Sequence, residues 1–108
     1  MLSEGLLEAL RERTAPGDVV YADPEASYRI GAALPVYVCV NPPGHVADTK
    51  RNRPRERVAE FRRFTATGAL SIPRDCGAQW LVVDRSRFDV RPDLPLVHQD
   101  ARWRLYRL

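Results

Sequence analysis

Lysine is almost missing from this chain: Lys50 is the only one among 17 basic residues, and arginine supplies the rest. A skew of this kind fits a high-GC codon bias better than a binding task. Acidic residues are interspersed with the arginines, and the formal net charge is only +3. No basic face with interleaved stacking aromatics is apparent, so nucleic acid is not an expected partner.

Cysteine is scarce as well. Cys39 and Cys76 stand far apart and form no C-x-x-C unit, which leaves a thiolate metal site or a thioredoxin-like dithiol without support. Two buried free thiols are the favoured reading, with a single disulfide as the alternative if the domain lives outside the cytoplasm. No stretch approaches the roughly 18 apolar residues of a membrane span. The N-terminus also lacks a basic region followed by an apolar run, so the chain as it stands is expected to be soluble.

Glycine-rich turns are absent where a dinucleotide would need one: the turn after the first predicted strand reads Ala22-Asp23-Pro24-Glu25. Ser27, Ser71 and Ser86 have no Gly-x-Ser-x-Gly context, so serine hydrolase chemistry has no support either. No cofactor is expected. What is present is an ordinary globular balance, 44% hydrophobic and 29% charged residues over 108 positions, enough for one folded domain over residues 1–108.

Leu2, Leu6, Leu7 and Leu10 fall on one helical face, Ser3 is placed to cap that helix, and Pro16-Gly17 ends it. Asp18 to Asp23 reads as a strand, taken as the first and central one. Pro24 then opens a helix capped by Asp23. Pro35 to Val40 is a near-continuous apolar run of the kind seen in strands covered on both faces. Residues 41–54 hold prolines, a glycine and polar groups without periodicity, and read as a long exposed loop.

Val58, Phe61 and Phe64 recur at helical spacing up to a natural stop at Gly68. A short helical turn closed by Gly77 leads to a third strand over Gln79 to Asp84. Leu96 to His98 and the alternating Ala101 to Arg107 are further strand candidates for an antiparallel edge hairpin. The alternation of strands and helices predicts an α/β domain: a Rossmann-like three-layer core with a short, mainly parallel sheet.

On such sheets ligands gather beyond the carboxyl ends of the strands. That rim holds Asp23 and Glu25 after the first strand, Asn41 to His45 after the second, and Asp84 to Arg87 after the third. Helix capping by Asp23 and a first-turn charge at Glu25 explain these carboxylates more simply than acid-base work or a hard metal ion. The most function-like stretch is the loop carrying Asn41, His45, Asp48, Lys50, Arg51, Asn52 and Arg53. There a His and an Asp three apart would pair and arginines would hold a phosphate or carboxylate, although a solvated loop bonding its own backbone is the simpler account. His98 in an apolar strand reads as structural, and Trp80, Trp103, Tyr106 and Phe88 as packing.

Several segments recur together in one bacterial pattern: 16–25 (PGDVVYADPE), Ser27-Tyr28, 35–38 (PVYV), 45–49 (HVADT), 53–57 (RPRER) and 77–84 (GAQWLVVD). In that pattern the chain resembles the soluble C-terminal domain of polytopic membrane proteins related to dolichyl-phosphate-mannose-type (C-superfamily) glycosyltransferases. The resemblance implies that catalytic acidic residues belong to a multispan N-terminal region, and that this domain lies on the extracytoplasmic face of the membrane without catalytic residues of its own. Its implied partners are the membrane-embedded part of the parent chain and a glycan or lipid-linked sugar. The resulting expectation is a noncatalytic accessory domain using the 41–54 loop as contact surface. The rival is a freestanding cytoplasmic module whose Arg-rich loop binds phosphate groups of a nucleotide or nucleic acid; a third reading is a small enzyme using His45 and Asp48.

Overall fold

Local chemistry sets most element boundaries. In the computed structural model, which describes residues 1–41 and 53–108, helix α1 spans Glu4–Arg13, and the Ser3 side chain caps it by accepting from the Leu6 amide. Strand β1 (Val19–Tyr21) runs into Asp23, whose carboxylate caps α2 (Pro24–Ala33). Strand β2 is only Tyr37–Val38. Helix α3 (Pro54–Thr67) starts after Arg53, which has φ 42° and offers no side-chain cap; it ends at Gly68, whose φ of 72° suits a residue without a Cβ. A short α4 (Ser71–Asp75) precedes β3 (Trp80–Asp84), and β4 (Leu96–Gln99) and β5 (Trp103–Arg107) complete the chain.

The five strands form one sheet in the order β2-β1-β3-β5-β4. β1 lies parallel to both β2 and β3, whereas β5 runs antiparallel to β3 and to β4. The sheet is therefore mixed, not mainly parallel. Five Cα partners tie β3 to β5, from Trp80↔Arg107 to Asp84↔Trp103, while only two tie β1 to either parallel neighbour. The central strand is β3, not β1, and all five of its residues are buried. β2 is an edge strand with Tyr37 69% exposed, so the Pro35–Val40 run is not covered on both faces. Its apolar character has another cause: Val36 and Val38 pack toward α2 and its neighbours, and Cys39 and Val40 toward α3.

Side chains alternate across the sheet and divide the core in two. Leu6 and Leu10 of α1 and Ala26 and Ile30 of α2 pack with Val20, Trp80, Val82, Trp103 and Leu105. Phe61 and Phe64 of α3 and Ile72 of α4 pack with Tyr21, Leu81, Val83 and Tyr106 on the other side. Leu6, Leu10 and Phe64 are essentially inaccessible, and full burial of side chains of this size contributes about 2 kcal/mol each. α1 can approach β4 closely because residue 5 is glycine: a Cβ there would lie 2.9 Å from His98 Cε1. No helix among the described residues is long and apolar enough to cross a membrane.

Candidate functional site

Parallel pairing of β1 and β3 brings their carboxyl ends together, and with them the two buried carboxylates Asp23 and Asp84. Asp23 leaves the strand extended, and its Oδ1 accepts from the Ala26 amide at 2.9 Å, fixing the start of α2. Asp84 Oδ1 accepts from the Ser86 amide and from Ser86 Oγ at 3.0 and 2.6 Å. Antiparallel pairing of β3 with β5 sets Arg102 beside Asp84, where Nε and Nη2 reach Oδ2 at 3.2 and 2.9 Å. Arg87 Nη1 lies 3.0 Å from Glu25 Oε2 and 3.7 Å from Asp23 Oδ1, and Glu25 also meets Arg29 at 3.6 Å.

The two buried carboxylates sit in opposite electrostatic settings. Burial pushes the Asp23 carboxyl up, and the opposing pull of the Ala26 amide and Arg87 does not cancel it, since Asp84 and Glu25 push the same way as burial. Its Oδ2 is buried with no hydrogen-bond partner among the described residues. Burial also acts upward on Asp84, but the hydrogen bonds from Arg102 and Ser86 outweigh it and hold that carboxyl below the usual range.

Three carboxylates thus face three guanidinium groups, and the space they enclose is too tight for a water molecule. Asp23, Glu25 and Asp84 do converge at the strand ends, as the rim reading requires. What they form is an ion-paired closure of the sheet end. Among the described residues no group of three or more His, Cys, Asp or Glu is arranged to hold a metal ion.

Of the loop residues singled out in the sequence, His45, Asp48, Lys50, Arg51 and Asn52 lie outside the described residues. Asn41 Nδ2 donates to the Val38 carbonyl at 3.5 Å, and Arg53 pairs with Glu56 in the first turn of α3, Nε to Oε2 at 2.7 Å. Both contacts are local to the chain. A polar cleft of about 420 Å³ lies between the end of α3 and residues 89–93, where Asp89 already pairs with Arg91 at 3.2 Å.

A second polar centre escaped the sequence reading. Asp100, in the turn between β4 and β5, accepts from Ser3 Oγ at 2.5 Å and from the Arg102 and Trp103 amides at 2.9 and 2.8 Å. His98 Nε2 lies 2.8 Å from the same Oδ2 that Ser3 uses. Serine and histidine therefore meet the carboxylate and not each other, so no nucleophile–base pair exists here. Burial raises the Asp100 carboxyl, yet the hydrogen bonds from Ser3, His98 and the two amides together hold it well below the usual carboxylate range. The sequence signal was weak: an Asp followed by two residues before a strand is an ordinary turn pattern.

The expectation of free thiols is corrected. Cys39, just past β2, and Cys76, at the end of α4, are joined in a disulfide with Cα atoms 6.4 Å apart across 37 positions of sequence. The two cysteines are far apart in sequence, and the tertiary fold alone brings the end of α4 to the end of β2. Comparison with protein-family models, with curated proteins and with solved structures finds no match to this chain.

Proposed function

We propose that this chain is a noncatalytic accessory domain on the extracytoplasmic face of a bacterial glycosyltransferase-like membrane protein, with a Rossmann-like three-layer fold. On this reading it contacts a glycan, a lipid-linked sugar donor or a partner domain, and the membrane-embedded part of the parent chain is its first partner. The observation that carries the reading is the Cys39–Cys76 disulfide. Disulfides persist in oxidising compartments and are rare in the cytoplasm, and an oxidising compartment is where the resemblance implies this domain to stand.

The polar rim supports the same reading. Arg29, Arg87 and Arg102 are each engaged with carboxylates of their own chain, which leaves the sheet end organised for stability. The parallel β2-β1-β3 portion, with helices between its strands, supports the Rossmann-like assignment. The 41–54 segment, with Asn41, His45, Asp48, Lys50, Arg51, Asn52 and Arg53, is the contact surface this reading names.

Fractionated native cells, blotted with an antibody to this domain, test the proposal. The expected result is a membrane-bound band much larger than 12.3 kDa, digested by protease added to intact spheroplasts, with both cysteines blocked to maleimide until reduction. A soluble band near 12.3 kDa with reactive thiols overturns it and favours the freestanding phosphate-binding module, whose retention on nucleic acid would fall steeply with salt.

A further inference from the structure

We propose that the Cys39–Cys76 disulfide is a thiol-exchange site of the folded domain, opened by an external small-molecule thiolate that attacks Cys76 Sγ while Cys39 departs. The inference stands on the geometry around the two sulfurs and is independent of the proposed function.

The two cysteines are unequally accessible. Cys39, just past the edge strand β2, is 8% exposed, while Cys76, at the C-terminal end of α4, is partly open to solvent. Exchange proceeds by attack on the sulfur that can be reached, so Cys76 is the electrophile and Cys39 the leaving group. A cleft of about 300 Å³ beside β2 is lined by both cysteines together with Tyr37, Asn41 and Arg57, giving a small thiol room to approach. Arg57 of α3 lines the same cleft, with its Nη1 3.7 Å from Glu60 Oε2, and a cation lining the cleft favours a thiolate formed there. Cys39 Sγ lies 3.7 Å from the Cys76 carbonyl oxygen, an acceptor already in place for the thiol once Cys39 is released. The core cluster formed by α1, α2 and one face of the sheet contains neither cysteine, and the strand pairing is made by backbone hydrogen bonds, so opening the bond leaves the fold a basis to persist.

The chemistry balances with thiol as the reductant. The incoming thiolate forms a bond to Cys76 Sγ, the Cys39–Cys76 bond breaks, and Cys39 leaves with the electron pair and takes a proton from water. A second thiol then attacks the mixed disulfide, giving the oxidised small-molecule disulfide and free Cys76.

Glutathione is the probe. The oxidised domain is incubated with it across a series of low urea concentrations, quenched with N-ethylmaleimide and analysed by intact and peptide mass. The expected first product carries glutathione on Cys76 and maleimide on Cys39, at a rate nearly independent of urea below the unfolding transition. Arg57→Gln is expected to slow that step about threefold, through the less stabilised leaving thiolate, without altering the rate in denaturing urea. A rate that tracks global unfolding, a first adduct on Cys39, or a folded Arg57→Gln variant with unchanged rate overturns the proposal. Should that variant not fold, the urea dependence and adduct position in the unsubstituted protein decide it alone.

Discussion

Replacing both cysteines, Cys39→Ala with Cys76→Ala, removes a cross-link that encloses α3, α4 and the segment between β2 and α3. With the bonded residues 37 positions apart in sequence, the loop-closure restriction on the unfolded chain amounts to about 3.8 kcal/mol. Native domains hold only about 5–15 kcal/mol in total, so this single bond would account for a quarter or more of the stability. Urea unfolding of the oxidised protein, the reduced protein and the double variant measures it, with fluorescence of the buried Trp80 and Trp103 as the probe. The expected result is a midpoint much lower for both forms lacking the bond, a slightly steeper denaturant dependence as the unfolded chain expands, and a Tm lower by about 15 °C or more. A loss below about 1 kcal/mol would refute the reasoning, because it would mean that the unfolded chain is no freer without the bond.

The polar centres make three further predictions. Asp84→Ala should cost about 1–2 kcal/mol in urea unfolding, since it removes the hydrogen bonds that Arg102 and Ser86 make to a buried carboxylate while the partly exposed Arg102 recovers solvent; a cost under about 0.5 kcal/mol would show that the pairing contributes nothing net. Asp23 has the opposite sign. Its carboxyl is pushed up in the folded state, so its contribution is favourable at low pH and is lost as pH rises through the raised value. Asp23→Asn keeps an acceptor for the Ala26 amide and should leave stability at neutral pH equal or higher, whereas a loss above about 2 kcal/mol would contradict the assigned burial cost. The Asp100 carboxyl is held down, so its contribution is present above the unfolded value near about pH 4 and fades as pH falls. Stability measured against pH should decline in acid for the parent protein and be both lower and flatter for Asp100→Ala; an unchanged acid slope would sink that assignment.

Much of the local structure was legible in the residues because its causes act over a few positions. Asp23-Pro24 opens α2 by a cap and a preset φ, Ser3 caps α1, Gly68 closes α3, and the alternation through Ala101 to Arg107 contains β5. Apolar residues at 35–40 correctly located a strand but overstated it, because the pattern of an edge strand that packs to both sides near its end looks like the pattern of one covered throughout. Asp23, Glu25 and Asp84 could be placed on one rim from strand ends alone. Their guanidinium partners could not, since Arg87 and Arg102 reach them only through the turn after β3 and the antiparallel return of β5.

The sequence by itself determined that this is one α/β domain, where its helices begin and stop, and which residues are apolar enough to face a core, all through steric and hydrogen-bonding rules that operate within a turn or two. Tertiary structure alone decided that β3 is central, that the sheet is mixed, that Asp84 is neutralised by Arg102, and that Cys39 meets Cys76. Those outcomes depend on which distant segments pack side by side, a choice made by the burial of two whole faces of the sheet at once and carried by no short stretch of residues.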